Sequence, residues 1–182
     1  MKDLKLRKFI ATTIREYLNE SVNILTDYIN IDGKKYSTKN SNGEYISKDM
    51  ESIINFYKWF GNSKTVDSQK RPIIYYHVSN SKFNEFIPSR FGKMGSGIYF
   101  TSIYIDIKIH NKSGGSVIYE CYLKIENPLE IENPFSKRND NNDGIFAFKG
   151  KSGEEIKVYE STQIKSIEND GSFDINDSNI YS

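Results

Sequence analysis

The stretch RPIIYYHVSNSKFNEFIPSRFGKMGSGIYF, residues 71–100, decides the fold of this chain. It contains two short apolar and aromatic segments, of which the first ends at His77 and the second at Tyr99 and Phe100. A polar stretch with one proline and three glycines separates them. This pattern predicts two β-strands joined through turn residues, and a histidine at a strand end is a candidate site residue.

The N-terminal third is predicted to be mainly helical. Apolar residues recur at three- and four-residue steps over residues 3–29, the spacing of one helix face. We expect this basic amphipathic helix to dock on its own domain. Residues 30–42 predict a polar connector or a weak hairpin, and a second helix is predicted over residues 50–60, capped by Ser47 or Asp49 and ended by Gly61 and Asn62.

The remainder predicts a sheet-rich body. A first strand is expected over residues 73–78 and a long, alternating strand over residues 116–131, which ends near Asn127 and Pro128. Shorter strands are expected over residues 145–148, 155–159 and 164–167, followed by a polar, turn-like tail. The predicted fold class is α+β, with a helical N-terminal part before the sheet.

Composition gives few hints about partners. Lys and Arg number 25 against 24 Asp and Glu, so a net charge of +1 predicts neither nucleic acid nor an anionic membrane as partner. The single cysteine, Cys121, cannot form a disulfide within the chain and is expected in the core. No signal peptide or membrane-spanning run is evident, so a cytoplasmic protein is expected.

Four stretches, taken in order, resemble an ADP-ribosyltransferase with a His–Tyr–Glu signature. They are FYKWFGNSKTVDSQKRPIIYYHVS (56–79), GSGIYFTS (95–102), YECYLKIENPLEI (119–131), and DGIF (143–146) followed by EEIKVYESTQIKSIENDGSFD (154–174). The class is that of diphtheria toxin and the poly(ADP-ribose) polymerases, and the closer similarity is to modules of phage polyvalent proteins and mobile elements. The resemblance covers about residues 51–177. It implies split antiparallel sheets with flanking helices, and divides the chain into an accessory region, 1–50, and an ADP-ribosyltransferase-like domain, 51–182.

The resemblance implies roles for individual residues. His77 matches the histidine that holds a ribose hydroxyl of NAD, Ser79 matches a small hydroxyl residue near that ribose, and Tyr99 matches the aromatic that stacks on nicotinamide. Counting back eight residues from Gln163, as in the polymerases, selects Glu155 as the catalytic glutamate and leaves its neighbour Glu154 exposed. The implied NAD-binding set comprises His77, Val78, Ser79, Arg90, Tyr99, Phe100 and His110.

These residue types suit the implied chemistry. Breaking the bond between nicotinamide and ribose spreads positive charge over the ribose, which a carboxylate such as Glu155 stabilises. An aromatic face such as Tyr99 holds the cationic ring. A histidine such as His77 fixes the ribose as a hydrogen-bond donor. This scheme requires no metal, and the sequence contains no metal-ligand motif.

Three positions depart from the family pattern. The family has glycine directly after the histidine, where the main chain pairs with nicotinamide carboxamide, whereas this chain has Val78. A small residue and a second stacking tyrosine are replaced by Ile107 and His110. The alternating isoleucines of residues 101–110 are typical of a strand, but the resemblance favours a helix. In the loop before Tyr99, Arg90 and Lys93 are candidates for contacting the NAD pyrophosphate.

The leading hypothesis is a mono-ADP-ribosyltransferase that transfers ADP-ribose from NAD to a macromolecular acceptor. That acceptor is a protein, of the host if the chain acts as a mobile-element effector, or a nucleic acid. Gly153 lies two positions before Glu155, where the resemblance implies an acidic residue in arginine-directed toxins, and this difference disfavours arginine as the acceptor. Two alternatives stay open, an inactive relative that only binds its target and an NAD glycohydrolase.

Overall fold

A computed structural model describes residues 26–104, 117–132, 141–148 and 154–182. Most of the predicted N-terminal helix therefore lies outside the described residues, as do Ile107 and His110. Where the predicted helix enters the described part, the prediction is wrong, because strand β1 occupies Tyr28–Ile31.

The first described element is a β-hairpin of β1, Tyr28–Ile31, and β2, Lys34–Ser37. Asp32 and Gly33 form its two-residue turn with φ values of 50° and 79°. Asp and Gly tolerate the positive φ values that such a turn requires, and the twist of this turn matches the twist of the strands. The hairpin alternative for residues 30–42 is thus confirmed.

Helix α1 spans Met50–Phe60, as predicted. The carboxylate of Asp49 caps it by accepting the Ser52 backbone N–H at 2.9 Å, and Gly61 ends it with a φ of 60°. The helix buries an aromatic face against the hairpin, the sheet and the C-terminal tail. From this face the Tyr57 hydroxyl donates to the Ser37 carbonyl at 2.6 Å, which fastens the hairpin to the helix.

A seven-stranded sheet forms the body and confirms the α+β class. Its strands lie in the order β6-β7-β8-β4-β3-β5-β9, and all neighbours are antiparallel except β6 and β7. The strand bounds are β3 Tyr75–Ser79, β4 Ile98–Thr101, β5 Val117–Leu123, β6 Pro128–Ile131, β7 Gly144–Phe148, β8 Glu154–Val158 and β9 Ile164–Ser166.

The single long strand predicted over residues 116–131 is wrong, because two strands share this segment. The carboxylate of Asp143 accepts the backbone N–H groups of Glu126 and Asn127 at 2.7 and 2.8 Å. These bonds turn the chain between β5 and β6, and Pro128 brings no N–H to continue a ladder. As a result β6 joins the opposite side of the sheet from β5 and β9.

The sheet is split between β3 and β4, as the resemblance implies. These strands share one residue pair, Tyr76 with Thr101, whereas β3 pairs with β5 over five residues and β4 with β8 over four. Continuing the β3–β4 register would pair Val78 with Tyr99, but the ladder ends before them. The sheet therefore opens beside the histidine and tyrosine singled out from the sequence.

Candidate active site

Tyr99 and Glu155 lie on one face of the sheet, on the two neighbouring strands β4 and β8. Glu155 is paired with Thr101, and Tyr99 is paired with Lys157. Directly opposed residues of an antiparallel pair share a face, and residues two apart on a strand also do so. The four side chains therefore form a compact array, with Tyr99 and Glu155 at diagonal positions.

The side chain of His77 bridges the split between β3 and β4 with a hydrogen bond. Its Nδ1 lies 2.7 Å from the Tyr99 carbonyl oxygen. Because a carbonyl only accepts, Nδ1 carries the proton and donates it in this contact. Burial lowers the pKa of His77 below its usual 6.5, an effect partly opposed by the bond to Tyr99. The imidazole is accordingly neutral near pH 7, and its Nε2 is an acceptor.

The tautomer of His77 changes the role expected from the sequence. With its proton on Nδ1, a neutral imidazole presents Nε2 as a hydrogen-bond acceptor, whereas the expectation was a donor. The ring is held by an edge contact to Phe86 and a tilted contact to Phe100, with centroids 5.0 and 5.5 Å away. Because Phe100 is itself buried, we assign its side chain to packing beneath the histidine.

The Tyr99 ring is half-buried beneath the loop that joins β3 to β4. Its hydroxyl donates to the Gly95 carbonyl and accepts the Met94 backbone N–H at 3.2 Å. A Cβ on Gly92 would overlap the same hydroxyl. Burial raises the pKa of Tyr99 and the nearby Glu155 adds to the effect, so the phenol keeps its proton at neutral pH.

The two adjacent glutamates of β8 point to opposite faces of the sheet. Glu155 shares the face of Tyr99, whereas Glu154 alternates with it and shares the face of the core residue Ile156. Glu154 is half-buried, which corrects the expectation that it is exposed. Burial raises its pKa, with a further contribution from Glu130.

The other predicted NAD contacts differ in their placement. Val78 and Ser79 lie at the end of β3 beside the split, both half-buried. Arg90 and Lys93 are exposed on the loop that covers Tyr99. His110 lies outside the described residues.

Lys157 is a site neighbour that the sequence interpretation missed. It is 1% exposed and lies directly opposite Tyr99. Its Nζ donates to the Met94 carbonyl, and it stands 4.8 Å from the centroid of the Tyr159 ring. The spacing of two residues from Glu155 in a predicted strand is the signal that could have found it.

A cavity of about 630 Å³ lies elsewhere, between β5, the end of β9 and the C-terminal tail. Its lining includes Phe83, Tyr119 and Tyr181 but none of the three signature residues. Within the described part of the chain, no cluster of His, Cys, Asp and Glu is suited to hold a metal ion. No helix among those same residues is long and apolar enough to cross a membrane.

A split α+β sheet, with a histidine and a tyrosine beside its opening, is the arrangement that the resemblance to ADP-ribosyltransferases implies. Residues 67–150 match the family model described as ADP-ribosyltransferase in polyvalent proteins. This stretch of the chain is thus similar to the ADP-ribosyltransferase modules of polyvalent proteins, which confirms the predicted resemblance. The match includes His77 and Tyr99 and ends before Glu155. No curated protein matches the chain.

Proposed function

We propose that this protein is a mono-ADP-ribosyltransferase that uses NAD and modifies a macromolecular acceptor. The observation that carries the proposal is the split of the sheet, with His77 bonded to the main chain of Tyr99 across it and Glu155 on the face of the Tyr99 ring. The His77 ring itself packs on the opposite face, against Phe100. Glu155 lies diagonally across one strand pair from Tyr99.

The surroundings of His77 fit the ribose and nicotinamide parts of NAD. The acceptor Nε2 suits a ribose hydroxyl. The β3–β4 ladder ends before Val78, so the ladder does not use the backbone N–H and C=O groups of Val78 on that side. These are the groups needed to pair with the carboxamide, and a valine side chain does not remove them. The half-buried face of Tyr99 offers a surface for the nicotinamide ring.

Glu155 would supply the negative charge that the reaction needs. When NAD is bound, the chemistry is cleavage of the bond between nicotinamide and ribose, with positive charge developing on the ribose. A carboxylate on the face of Tyr99 would stabilise that charge and could take the proton of an acceptor nucleophile. Arg90 and Lys93, exposed on the covering loop, would neutralise the phosphates of NAD.

The test is label transfer from NAD carrying a labelled adenylate to macromolecules of a cell lysate. We expect Glu155→Gln to reduce transfer by about 100-fold or more, because removal of one transition-state electrostatic contact costs about that much. Glu154→Gln is the matched control, since it removes a carboxylate from the other face of the same strand. Transfer should stay within about threefold of wild type in this control.

The outcomes separate the three functions considered from the sequence. Label on a macromolecule, lost in Glu155→Gln and retained in Glu154→Gln, supports the transferase. Release of free ADP-ribose with no labelled macromolecule identifies an NAD glycohydrolase instead. Absence of both products, together with no calorimetric binding of millimolar NAD, identifies a protein of this fold without the enzymatic function.

A further inference from the structure

We propose that Lys157 is a positioning residue that holds the loop of residues 90–97 over the NAD site. The inference rests on the proposed function and adds a residue to it. Lys157 lies on the same face of β8 as Glu155 and directly opposite Tyr99, beyond the residues matched by the family model.

The side chain of Lys157 runs beneath the loop and is enclosed by it. A Cβ on Gly97 would lie 2.7 Å from both Cγ and Cδ of Lys157, so only glycine leaves room for the aliphatic part of the lysine. The same glycine has a φ of 152°, which other residues rarely adopt. The ammonium group then reaches the Met94 carbonyl.

Side chains from two strands hold the loop at two adjacent residues, Met94 and Gly95. Lys157 of β8 binds the Met94 carbonyl, while the Tyr99 hydroxyl of β4 binds the Met94 N–H and the Gly95 carbonyl. The loop carries the exposed Arg90 a few residues earlier and covers the hydroxyl end of the Tyr99 ring. Lys157 therefore fixes both the ring that would receive nicotinamide and the segment that would meet the phosphates.

Packing alone does not account for a lysine at this position. The residue is 1% exposed, and a buried ammonium is costly unless its hydrogen bonds are satisfied. Replacing a buried charged group with an apolar one of similar volume is often neutral or stabilising. Methionine would fill the same space beneath the loop but would leave the Met94 carbonyl without this charge-assisted bond.

The experiment compares Lys157→Met with Lys165→Met. Lys165 is a matched control, because it is also fully buried and also binds backbone carbonyls, those of Asp177 and Asn179 at 3.0 and 2.9 Å. Those partners lie in the C-terminal tail and not in the NAD site. NAD affinity is measured by calorimetry, turnover at saturating NAD by label transfer, and folding by thermal unfolding.

We expect Lys157→Met to weaken NAD binding by about tenfold or more, the value of one charge-assisted hydrogen bond. Turnover at saturating NAD should stay within about threefold of wild type. Lys157→Arg should restore most of the affinity, because guanidinium can still donate to the Met94 carbonyl. Lys165→Met should leave NAD affinity unchanged whatever its effect on the melting temperature.

Equal NAD affinity in Lys157→Met and wild type overturns the inference, as does an equal loss in Lys165→Met. If neither Lys157 variant folds although Lys165→Met does, Lys157 serves stability and the inference again fails. The proposed function has its own criterion. It fails if wild-type protein neither binds nor consumes NAD, whereas the inference fails with wild-type activity intact.

Discussion

His77 illustrates how one hydrogen bond determines the chemistry of a residue. Its bond to the Tyr99 carbonyl requires the proton on Nδ1, and burial lowers its pKa. Both effects favour a neutral ring that presents Nε2 as an acceptor. A histidine at a strand end can adopt either tautomer, so the sequence does not distinguish an acceptor from a donor at this position.

Acidification should destabilise the protein through His77. Because its pKa is lower when folded than in the unfolded chain, only the unfolded state gains the proton as pH first falls below about 6.5. The contribution of His77 to the free energy of unfolding is therefore complete above that pH. It decreases as the pH falls towards the folded pKa, by at most about 1.4 kcal/mol per pH unit. Denaturant unfolding from pH 7.5 to 5 measures this slope.

The variant His77→Asn tests whether His77 carries that pH dependence. An asparagine amide can donate to the Tyr99 carbonyl in place of Nδ1 but does not titrate. We expect a shallower slope in this variant than in wild type. His110→Asn, which replaces the other of the two histidines, measures how much of the slope is specific to His77. Identical slopes in wild type and His77→Asn would contradict the prediction.

At the scale of elements, the loop between β3 and β4 is shaped by close contacts of its backbone with itself and with the Tyr99 side chain, and not by regular secondary structure. Ser89 and Gly97 exchange backbone hydrogen bonds at 2.9 and 3.0 Å, which closes the segment that contains Gly92. The Tyr99 hydroxyl occupies the space where a Cβ of residue 92 would lie. A polar, glycine-bearing stretch predicts a turn, but it does not predict that a tyrosine fills the position opposite one of its glycines.

Gly92→Ala should weaken NAD binding without unfolding the protein. The added methyl group displaces either the loop or the Tyr99 ring, and Gly92 needs no left-handed backbone that alanine would strain. We expect the calorimetric dissociation constant for NAD to rise about tenfold, similar to the loss of one hydrogen bond to this hydroxyl.

Ser96→Ala provides the control within the same loop, because Ser96 is exposed. This variant should bind NAD as wild type does. Unchanged affinity in Gly92→Ala would mean that the loop adapts to the added methyl group and does not hold the ring.

At the scale of the whole molecule, the C-terminal tail completes the core. The sequence predicts a polar, turn-like segment, and the turns are present, but Phe173 is 3% exposed. Its ring lies 5.2 Å from Phe56 and 6.3 Å from Trp59 of α1, measured between centroids. Ile180 is buried too, in the cluster on the sheet. The tail thus connects the helix to the sheet that carries the candidate site.

Phe173→Ala should lower the free energy of unfolding by about 3 kcal/mol, the cost of a cavity left by a buried aromatic ring. Ile175→Ala, two residues along the same tail, is the control because Ile175 is 50% exposed and should change stability by less than about 0.5 kcal/mol. Urea denaturation measures both values. Equal stabilities of the two variants would show that the tail is not part of the cooperative core.

Local pattern was sufficient for most elements. The apolar spacing and the Asp49 cap predicted α1 with its observed bounds, and the strands of β3, β7, β8 and β9 were placed to within about two residues. The single strand predicted over residues 116–131 was wrong because the alternation continues into a segment that Asp143, distant in sequence, turns aside. The division of the chain at residue 50 stays a prediction.

The sequence by itself determined the residues available for the site, their strand faces and the family resemblance. Tertiary structure decided that β3 and β4 meet at one residue pair, that His77 bonds across their split, and that Lys157 lies opposite Tyr99. The reason is physical. Periodicity reports burial within one segment, whereas neighbours such as β3 and β5 or β4 and β8 are separated by tens of residues, and only their packing sets which side chains meet.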